Sequence, residues 1–518
     1  MLAMAQGQVT SESSSAPPDA IALESAVRLL KKTHLSRWIE RSIFFFFILF
    51  AGLLPHSIKG AQHSWRLAFL VWPAFLLIER RRPIPQPLVA PLLAYITLSG
   101  ISTILTADPI LSWDRMKIVC LVLVGILFAQ NLRRLSEVRI LVFVLLLSAL
   151  GAAALTAWQY TYGIGVQIVD MRPGTPLSFA GFQTNDIITK INGHSVHTPE
   201  QLTKEVSETQ TGTTIEVRYV RGFPFEKRTT VLASDGFTQA GLGSPGLHLA
   251  RGKPIRAQGH LGHYVVFAEM LMQLGCLAWA MLLSFRRDRR VWPGMFGIIF
   301  LSVTTALMFT ETRAAMAGLA VGCFAAMLML TGPRSRIWAA SALFLLVISA
   351  VLWTHYIRHV QWIDLNDPGT RFRVLMWEDG LRLVREHPWF GVGMESVRTY
   401  WRQWNIRGFG QYHVVSHFHC TFLQIAVDRG LTTLAAWLWF VAAYLIFLVR
   451  LIGRIRTRSR FASGVLAGVL AGFVAFQVTS LVHYNLGEEP LVTILFFYFG
   501  LAIAIERMVK NADGLDVA

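Results

Sequence analysis

Long apolar runs separated by short, mostly basic loops dominate this chain. About twelve of them are long enough to cross roughly 30 Å of hydrocarbon, at 42–58, 65–78, 88–105, 118–129, 140–160, 262–285, 292–309, 314–330, 337–353, 431–449, 461–481 and 491–505. Two stretches interrupt the pattern. Between 162 and 235, the short alternating segments GVQIV, DIITKI and TIEVRYV are punctuated by PGTP, NGH and TGT, which predicts strands joined by turns, with one amphipathic helix over 198–208. Between 354 and 419, Val374, Trp377, Leu381 and Val384 recur at helical spacing, while Arg371, Glu378, Arg382 and Arg385 fall on other faces. That helix is expected to lie along the bilayer surface and to end at His387-Pro388, with a tight turn following at Gly391-Val392-Gly393.

The fold class that follows is an all-α polytopic membrane protein of about twelve transmembrane helices with a small α+β domain inserted. Its expected divisions are a largely disordered tail at 1–41, transmembrane helices at 42–161, the inserted domain at 162–235 and a Gly-rich linker at 236–261. Further transmembrane helices at 262–353 lead to a water-facing loop at 354–419, the last helices at 420–507 and a short tail at 508–518.

Composition agrees with a membrane protein, since 53% of the 518 residues are hydrophobic and only 15% are charged. The net charge of +17 would suit nucleic acid, but its placement argues for membrane lipids instead. Basic clusters at 31–41, 80–82, 133–139, 286–290, 334–336 and 450–460 occupy alternate loops, the positive-inside pattern. Both termini are therefore expected in the cytoplasm, with the insert and the 354–419 loop on the opposite side. Cys120, Cys276, Cys323 and Cys420 lie in or at apolar runs, with neither disulfide nor metal-ligand spacing.

Candidate chemistry collects on that opposite side. The 354–419 loop carries Arg358, Arg371, Arg373, Arg382, Arg385, Arg398, Arg402 and Arg407, and closes on the pair His417 and His419. Arg256, His260 and His263 stand at the mouth of the run that begins at 262. Arg313 sits between two apolar runs, where an arginine is costly unless paired or hydrated, and Glu311 is the nearest possible partner. The loop with Asp108, Asp114, Arg115 and Lys117 reads as a solvated connection with interfacial anchors. A cationic loop over a bilayer suits an anionic, lipid-borne substrate.

The insert resembles a bacterial PDZ domain. Gly163-Ile164-Gly165-Val166 matches the family's carboxylate-binding loop; Arg172 to Pro176, Ala180-Gly181-Phe182, Asp186-Ile187-Ile188 and Ile191-Asn192-Gly193 match the rest in order, with Asn185 where glycine is usual. The resemblance implies that this loop offers N–H groups to the C-terminal carboxylate of a peptide while the adjacent strand pairs with it.

Four further stretches resemble the bacterial O-antigen ligase and polymerase superfamily. RAQGHLGHYVVFAEML brings Arg256, Gly259 and His263, with Tyr264 replacing proline; FTETRAAMAGLAVG brings Arg313. TRFRVLMWEDGLRLVREHPWFGVG brings Arg373, Trp377, Pro388, Gly391 and Gly393, and HFHCTFLQIAVDRGL brings His417, His419 and Leu423, with Cys420 for asparagine and Asp428 for glutamate. An inserted PDZ domain is not part of the usual family pattern. The resemblance implies a GT-C-like, metal-independent and cofactor-free glycosyltransferase of the inner membrane. Such an enzyme moves a glycan from an undecaprenyl-diphosphate donor to a lipid or protein acceptor in the periplasm. Displacement at an anomeric carbon builds charge on the departing diphosphate, which fixed guanidiniums can bind; Arg313 and Arg373 are expected to act there, with Arg256, His263 and Arg371 in substrate binding. His419 is the first expected base for the acceptor hydroxyl and His417 the second. Ligase, polymerase and protein oligosaccharyltransferase share these motifs. A scaffold or transporter in which the PDZ domain does the biological work is the rival of another class; it would tolerate loss of Arg313 and His419 but not of Gly163 to Val166.

Overall fold

The computed structural model describes residues 18–79, 88–106, 108–163, 165–172, 176–184, 186–210, 212–220, 226–232, 242–243, 247–252, 257–261, 263–288, 291–337, 368–412 and 417–515. The expected span at 337–353 falls almost wholly outside them, as do Ile164, Arg256, Arg358 and the 1–17 tail. The N-terminal half contributes α1 (Pro18–Leu53), α2 (Ile58–Glu79), α3 (Val89–Leu105), α4 (Pro109–Val119), α5 (Val122–Asn131) and α6 (Leu135–Tyr162). The insert follows as β1 (Gly165–Met171), α7 (Pro176–Phe179), β2 (Ile187–Ile191), β3 (His194–Ser195), α8 (Pro199–Ser207), β4 (Thr214–Val220), β5 (Glu226–Leu232) and β6 (Leu247–Gly252). The remaining helices are α9 (Tyr264–Phe285), α10 (Trp292–Phe309), α11 (Arg313–Leu330), α12 (Pro368–Glu386), α13 (Ser396–Tyr400), α14 (Arg407–Tyr412), α15 (Thr421–Ile455), α16 (Arg460–Thr479) and α17 (Glu489–Leu515).

Seven helices among the described residues are long and apolar enough to cross a membrane, namely α6, α9, α10, α11, α15, α16 and α17; α3 is a shorter apolar helix. This is a multi-pass membrane protein, and the described residues do not confirm the count of about twelve. One reason is local. The 118–129 run, expected as a single span, is broken at Cys120 and Leu121 into α4 and α5, and the ten residues of α5 reach only about 15 Å. The 109–117 connection is no solvated loop: Pro109 opens α4, Asp108 accepts a hydrogen bond from the Leu111 N–H at 3.0 Å, and Arg115 pairs with Glu395 at 3.2 Å.

Small residues set the helix packing that positions the site. Gly464, Gly468 and Gly472 repeat along one face of α16, and a Cβ on Gly468 would lie 2.6 Å from Leu277 Cδ1 of α9. Gly318 and Gly322 of α11 meet α16 in the same way, with the Ala475 and Ala471 carbonyls 3.2 and 2.6 Å from where their Cβ atoms would be. Backbones thus approach closely where lipid offers no hydrophobic drive for helices to associate. At one end of the bundle the basic clusters converge on helix-terminal carbonyls: Arg286 Nη1 donates to the Leu283 and Leu330 carbonyls, Arg456 Nη2 to that of Thr331, and Arg507 Nη1 to that of Ala129. The other end carries the histidines.

A break in α15 ties the loop to the body. Gly430 (φ 82°, ψ 169°) divides α15 after Arg429. The Val427 and Asp428 carbonyls, left without partners by the break, accept the N–H groups of Val392 and Gly393, each at 2.8 Å, and the Leu431 N–H donates to the Pro388 carbonyl at 2.7 Å. From α3, Ser102 and Thr106 donate to the Phe390 and Val392 carbonyls at 2.6 and 2.5 Å. The glycines of the predicted turn are needed for this close approach: Gly391 has φ 69°, and its Cβ would lie 2.4 Å from the Val427 carbonyl oxygen.

The insert folds about its own small core, which includes Val166, Ile168, Ile188, Leu202, Ile215 and Val217. Its sheet runs β5-β4-β2-β1-β6, with β3 pairing β2.

Candidate active site

His417, Phe418 and His419 form the bend between α14 and α15. Phe418 is the anchor: it is buried, its carbonyl accepts the Trp377 Nε1–H of α12 at 3.0 Å, and its N–H donates to Gln424 Oε1 at 2.9 Å. The histidines flanking it turn to a common side, with ring centroids 4.4 Å apart. The left-handed backbone of His419 (φ 49°) allows this, and its N–H donates to His417 Nδ1 at 3.2 Å. Neutral His417 therefore carries its proton on Nε2.

Two more histidines complete the cluster. His263 caps the N-terminus of α9, its Nδ1 accepting the Val266 N–H at 3.5 Å. His483, between α16 and α17, bonds through Nδ1 to Glu269 Oε1 of α9 at 2.7 Å. The other carboxylate oxygen accepts from Thr479 Oγ1 at 3.0 Å. Asn485 ties this pair to the loop, because its Oδ1 accepts from Thr421 Oγ1 (2.8 Å) and its Nδ2 donates to Thr479 Oγ1 (3.0 Å). The Tyr484 ring stands 5.6 Å from that of His417.

Electrostatics keep the loop imidazoles neutral. Burial, then the neighbouring His483, His263 and Arg398, push His417 down to about 4. Burial, then His417, Arg373 and His483, push His419 still further down. His263 is lowered by burial and by His483, with Glu269 acting in the opposite sense. A histidine whose folded-state pKa lies below its unfolded value near 6.5 binds protons more weakly in the native state, so stability rises with pH across that interval. The melting temperature in detergent should therefore fall as pH drops from about 6.5 towards 4, and His417→Gln should flatten the fall. An unchanged slope in that variant would remove His417 from the account.

The arginines separate into two groups. Arg407 donates through Nε and its backbone N–H to buried Asp379, both at 2.8 Å, and through Nη2 to Glu378; Arg382 donates to the Trp404 carbonyl at 2.6 Å. Arg398 pairs with Glu395 at 3.3 Å, and Arg402 lies over the Trp401 ring. Arg407 and Arg382 thus tie α12 to the segment around 404–407, while Arg398 and Arg402 are engaged locally. Arg371, Arg373 and Arg385 are exposed on α12, with Arg373 in electrostatic reach of His419. Arg313 is exposed at the first position of α11. Ala257, next to Arg256, donates its N–H to the Phe309 carbonyl at 2.9 Å, which sets that motif at the histidine end of the bundle.

Sequence reasoning missed Glu269 and His483. The available signal was that Glu269 is the only charged residue in the 22-residue α9, and intramembrane carboxylates are rarely idle. Among the described residues no group of three or more His, Cys, Asp and Glu could hold a metal ion.

The insert departs from the peptide-binding expectation at Gly163 to Val166. The Gly163 N–H is spent on the Gln159 carbonyl at the end of α6 (2.9 Å), and Gly165 and Val166 pair in register with Gly252 and Arg251 of β6. Both edges of β1 are therefore taken, by β2 and by β6, and a Cβ on Gly163 would sit 2.3 Å from the Gly252 carbonyl oxygen, so no peptide strand can pair with β1. The strand that fills the edge comes from what the sequence reads as a Gly-rich linker.

Two family models match the chain, PDZ domain over residues 131–230 and O-antigen ligase over residues 297–438. The first takes in all of α6 and the strands from β1 to most of β5, and stops short of β6. The second spans α10 to the middle of α15 and so covers Arg313, Arg373, His417 and His419. Comparison with curated proteins returned no match. With the histidine-lined loop inside the one match and the sheet inside the other, the chain is an O-antigen ligase-like membrane protein that carries a PDZ domain.

Proposed function

We propose that this protein transfers a glycan from an undecaprenyl-diphosphate donor to a lipid or protein acceptor on the periplasmic face of the bacterial inner membrane. The observation that carries the reading is the His417–His419 pair, held by Phe418 beneath α12, with Arg373 beside it. Neutral imidazoles accept protons, and exposed guanidiniums bind diphosphate. Arg373 and Arg313 take the charge that grows on the leaving diphosphate; Arg256, His263 and Arg371 bind the donor. His419 removes the proton of the acceptor hydroxyl, with His417 second to it. A diphosphate beside Arg373 offsets that guanidinium's field on His419, so the imidazole is a better base once donor is bound. Guanidiniums stand in for a metal, so the reaction runs without one. The convergence of the basic clusters at the opposite end of the bundle supports cytoplasmic termini and a periplasmic PDZ domain.

Peptide recognition, in this reading, belongs to the outer edge of β6. It is the last strand of the sheet on that side, and α8 packs near it.

The test is transfer by purified protein in liposomes containing a polyprenyl-diphosphate-linked glycan and a lipid A-core acceptor. Product is expected with and without EDTA, and its length distribution separates single ligation from polymerisation. Transfer abolished by EDTA and restored by a divalent cation would overturn the metal-free mechanism. No transfer to any lipid, glycan or protein acceptor would overturn the assignment.

A further inference from the structure

Glu269 is a carboxylate inside the bundle, and the chemistry above does not use it. Its two oxygens are both engaged, one by His483 Nδ1 at 2.7 Å and the other by Thr479 Oγ1 at 3.0 Å. A histidine bonded to a carboxylate through Nδ1 holds its proton there and presents Nε2 as the free acceptor. The His483 backbone lies against the catalytic loop: its carbonyl is 2.9 Å from Thr421 Oγ1, two residues beyond His419, and shares that hydroxyl with Asn485 Oδ1.

Resting on the glycosyl-transfer reading above, we propose that His483, oriented by Glu269, is the resting place of the proton taken from the acceptor. His419 accepts the hydroxyl proton as the acceptor oxygen bonds to the anomeric carbon, and the bond from that carbon to the diphosphate oxygen breaks, the electron pair leaving with the diphosphate. The proton then passes to Nε2 of His483, whose cationic form faces the Glu269 carboxylate, and returns to water before the next turnover. His417 is a poor store, because its Nδ1 is occupied by the His419 N–H and Arg398 lies in electrostatic reach. His419 is poor for a related reason, with Arg373 on one side and His417 on the other. Of the other titratable groups, His263 at the start of α9 lies in electrostatic reach of both members of the dyad, Glu488 has its carboxyl pushed up by burial and by Glu269, and Tyr484, next to His483 in the chain, sets its ring against His417. Glu269 bonds directly to the His483 imidazole. His483 and Glu269 are positioning residues here, acting through His419.

Full-length protein in liposomes separates this from a structural role. Transfer is followed from about pH 5 to about pH 9, the range in which histidine titrates, for wild type, Glu269→Gln, Glu269→Asp and His483→Gln. Glu269→Gln is expected to lower kcat about tenfold at unchanged donor KM and to move the acid limb of the profile to lower pH, with Glu269→Asp restoring part of both. A uniform loss in step with the amount of folded protein, or a wild-type profile in Glu269→Gln, overturns the proposal. A second readout does not depend on transfer. In ¹⁵N-histidine spectra, the resonance lost in His483→Gln is expected to be that of an Nδ1-protonated imidazole; an Nε2-protonated one also overturns the dyad. If that tautomer is found and wild type transfers nothing, the glycosyl-transfer reading has failed while the Glu269–His483 contact stands.

Discussion

Replacing His419 by alanine is expected to reduce glycan transfer by about 10²- to 10⁴-fold, the usual loss when a positioned acid–base group is removed. The residue has little else to do for the fold: it is only partly buried, and Phe418 makes the anchoring contacts on either side of the chain. Its left-handed backbone complicates the alanine variant, because φ 49° costs alanine more than it costs asparagine. His419→Asn is therefore the sharper test. It keeps a side chain that tolerates this conformation and removes the base. Both variants should reach the membrane at wild-type level and unfold within a few degrees of it. Transfer by His419→Asn above about a tenth of wild type would take the base role away from this residue.

Gly430→Ala is expected to be among the most damaging single substitutions in the chain, with a loss of about 4 kcal/mol or more. Two costs add. The position has φ 82°, and a Cβ there would lie 2.1 Å from the Trp389 carbonyl oxygen, which belongs to backbone and cannot swing aside. Relieving the clash separates 388–393 from the break in α15 and frees the Val427 and Asp428 carbonyls. Thermal unfolding in detergent and protease cleavage within 388–393 would both report the change. Gly453→Ala is the matched control: it lies in the same helix, its Cβ would meet nothing within 4 Å, and it is expected to be neutral or slightly stabilising. Equal behaviour of the two variants would show that the interlock contributes little.

Much of this architecture was legible in the sequence because its signals are local. Apolar runs marked the helices; the alternation in 165–220 marked the strands; Val374, Trp377, Leu381 and Val384 marked α12. The His417–His419 pair was legible as two imidazoles two positions apart, although it is the left-handed turn at His419 that brings the rings to one side. What escaped notice depends on distant partners. Glu269 and His483 are 214 positions apart, and although a lone carboxylate in an apolar helix stands out, nothing in its own neighbourhood names its partner. The Gly391 turn was expected, but not that it closes on a break at Gly430. Composition misled in two places. The Gly-rich 236–261 segment hides β6, so the free edge of the sheet was assigned to the wrong strand. The 118–129 run is apolar enough to suggest one span, and its break at Cys120 and Leu121 has no glycine or proline to announce it.

The pairing of Gly165 with Gly252 bears on how such a chain can be assembled from parts. The first and last strands of the PDZ sheet pair with each other, so the two points at which it leaves and rejoins the helical body lie side by side. Geometrically the insert hangs on a single stalk, as a graft does on a stem. A unit whose ends already meet asks nothing of its host beyond a gap one hairpin wide. The body can therefore carry it between α6 and α9 without parting the helices that hold the histidines.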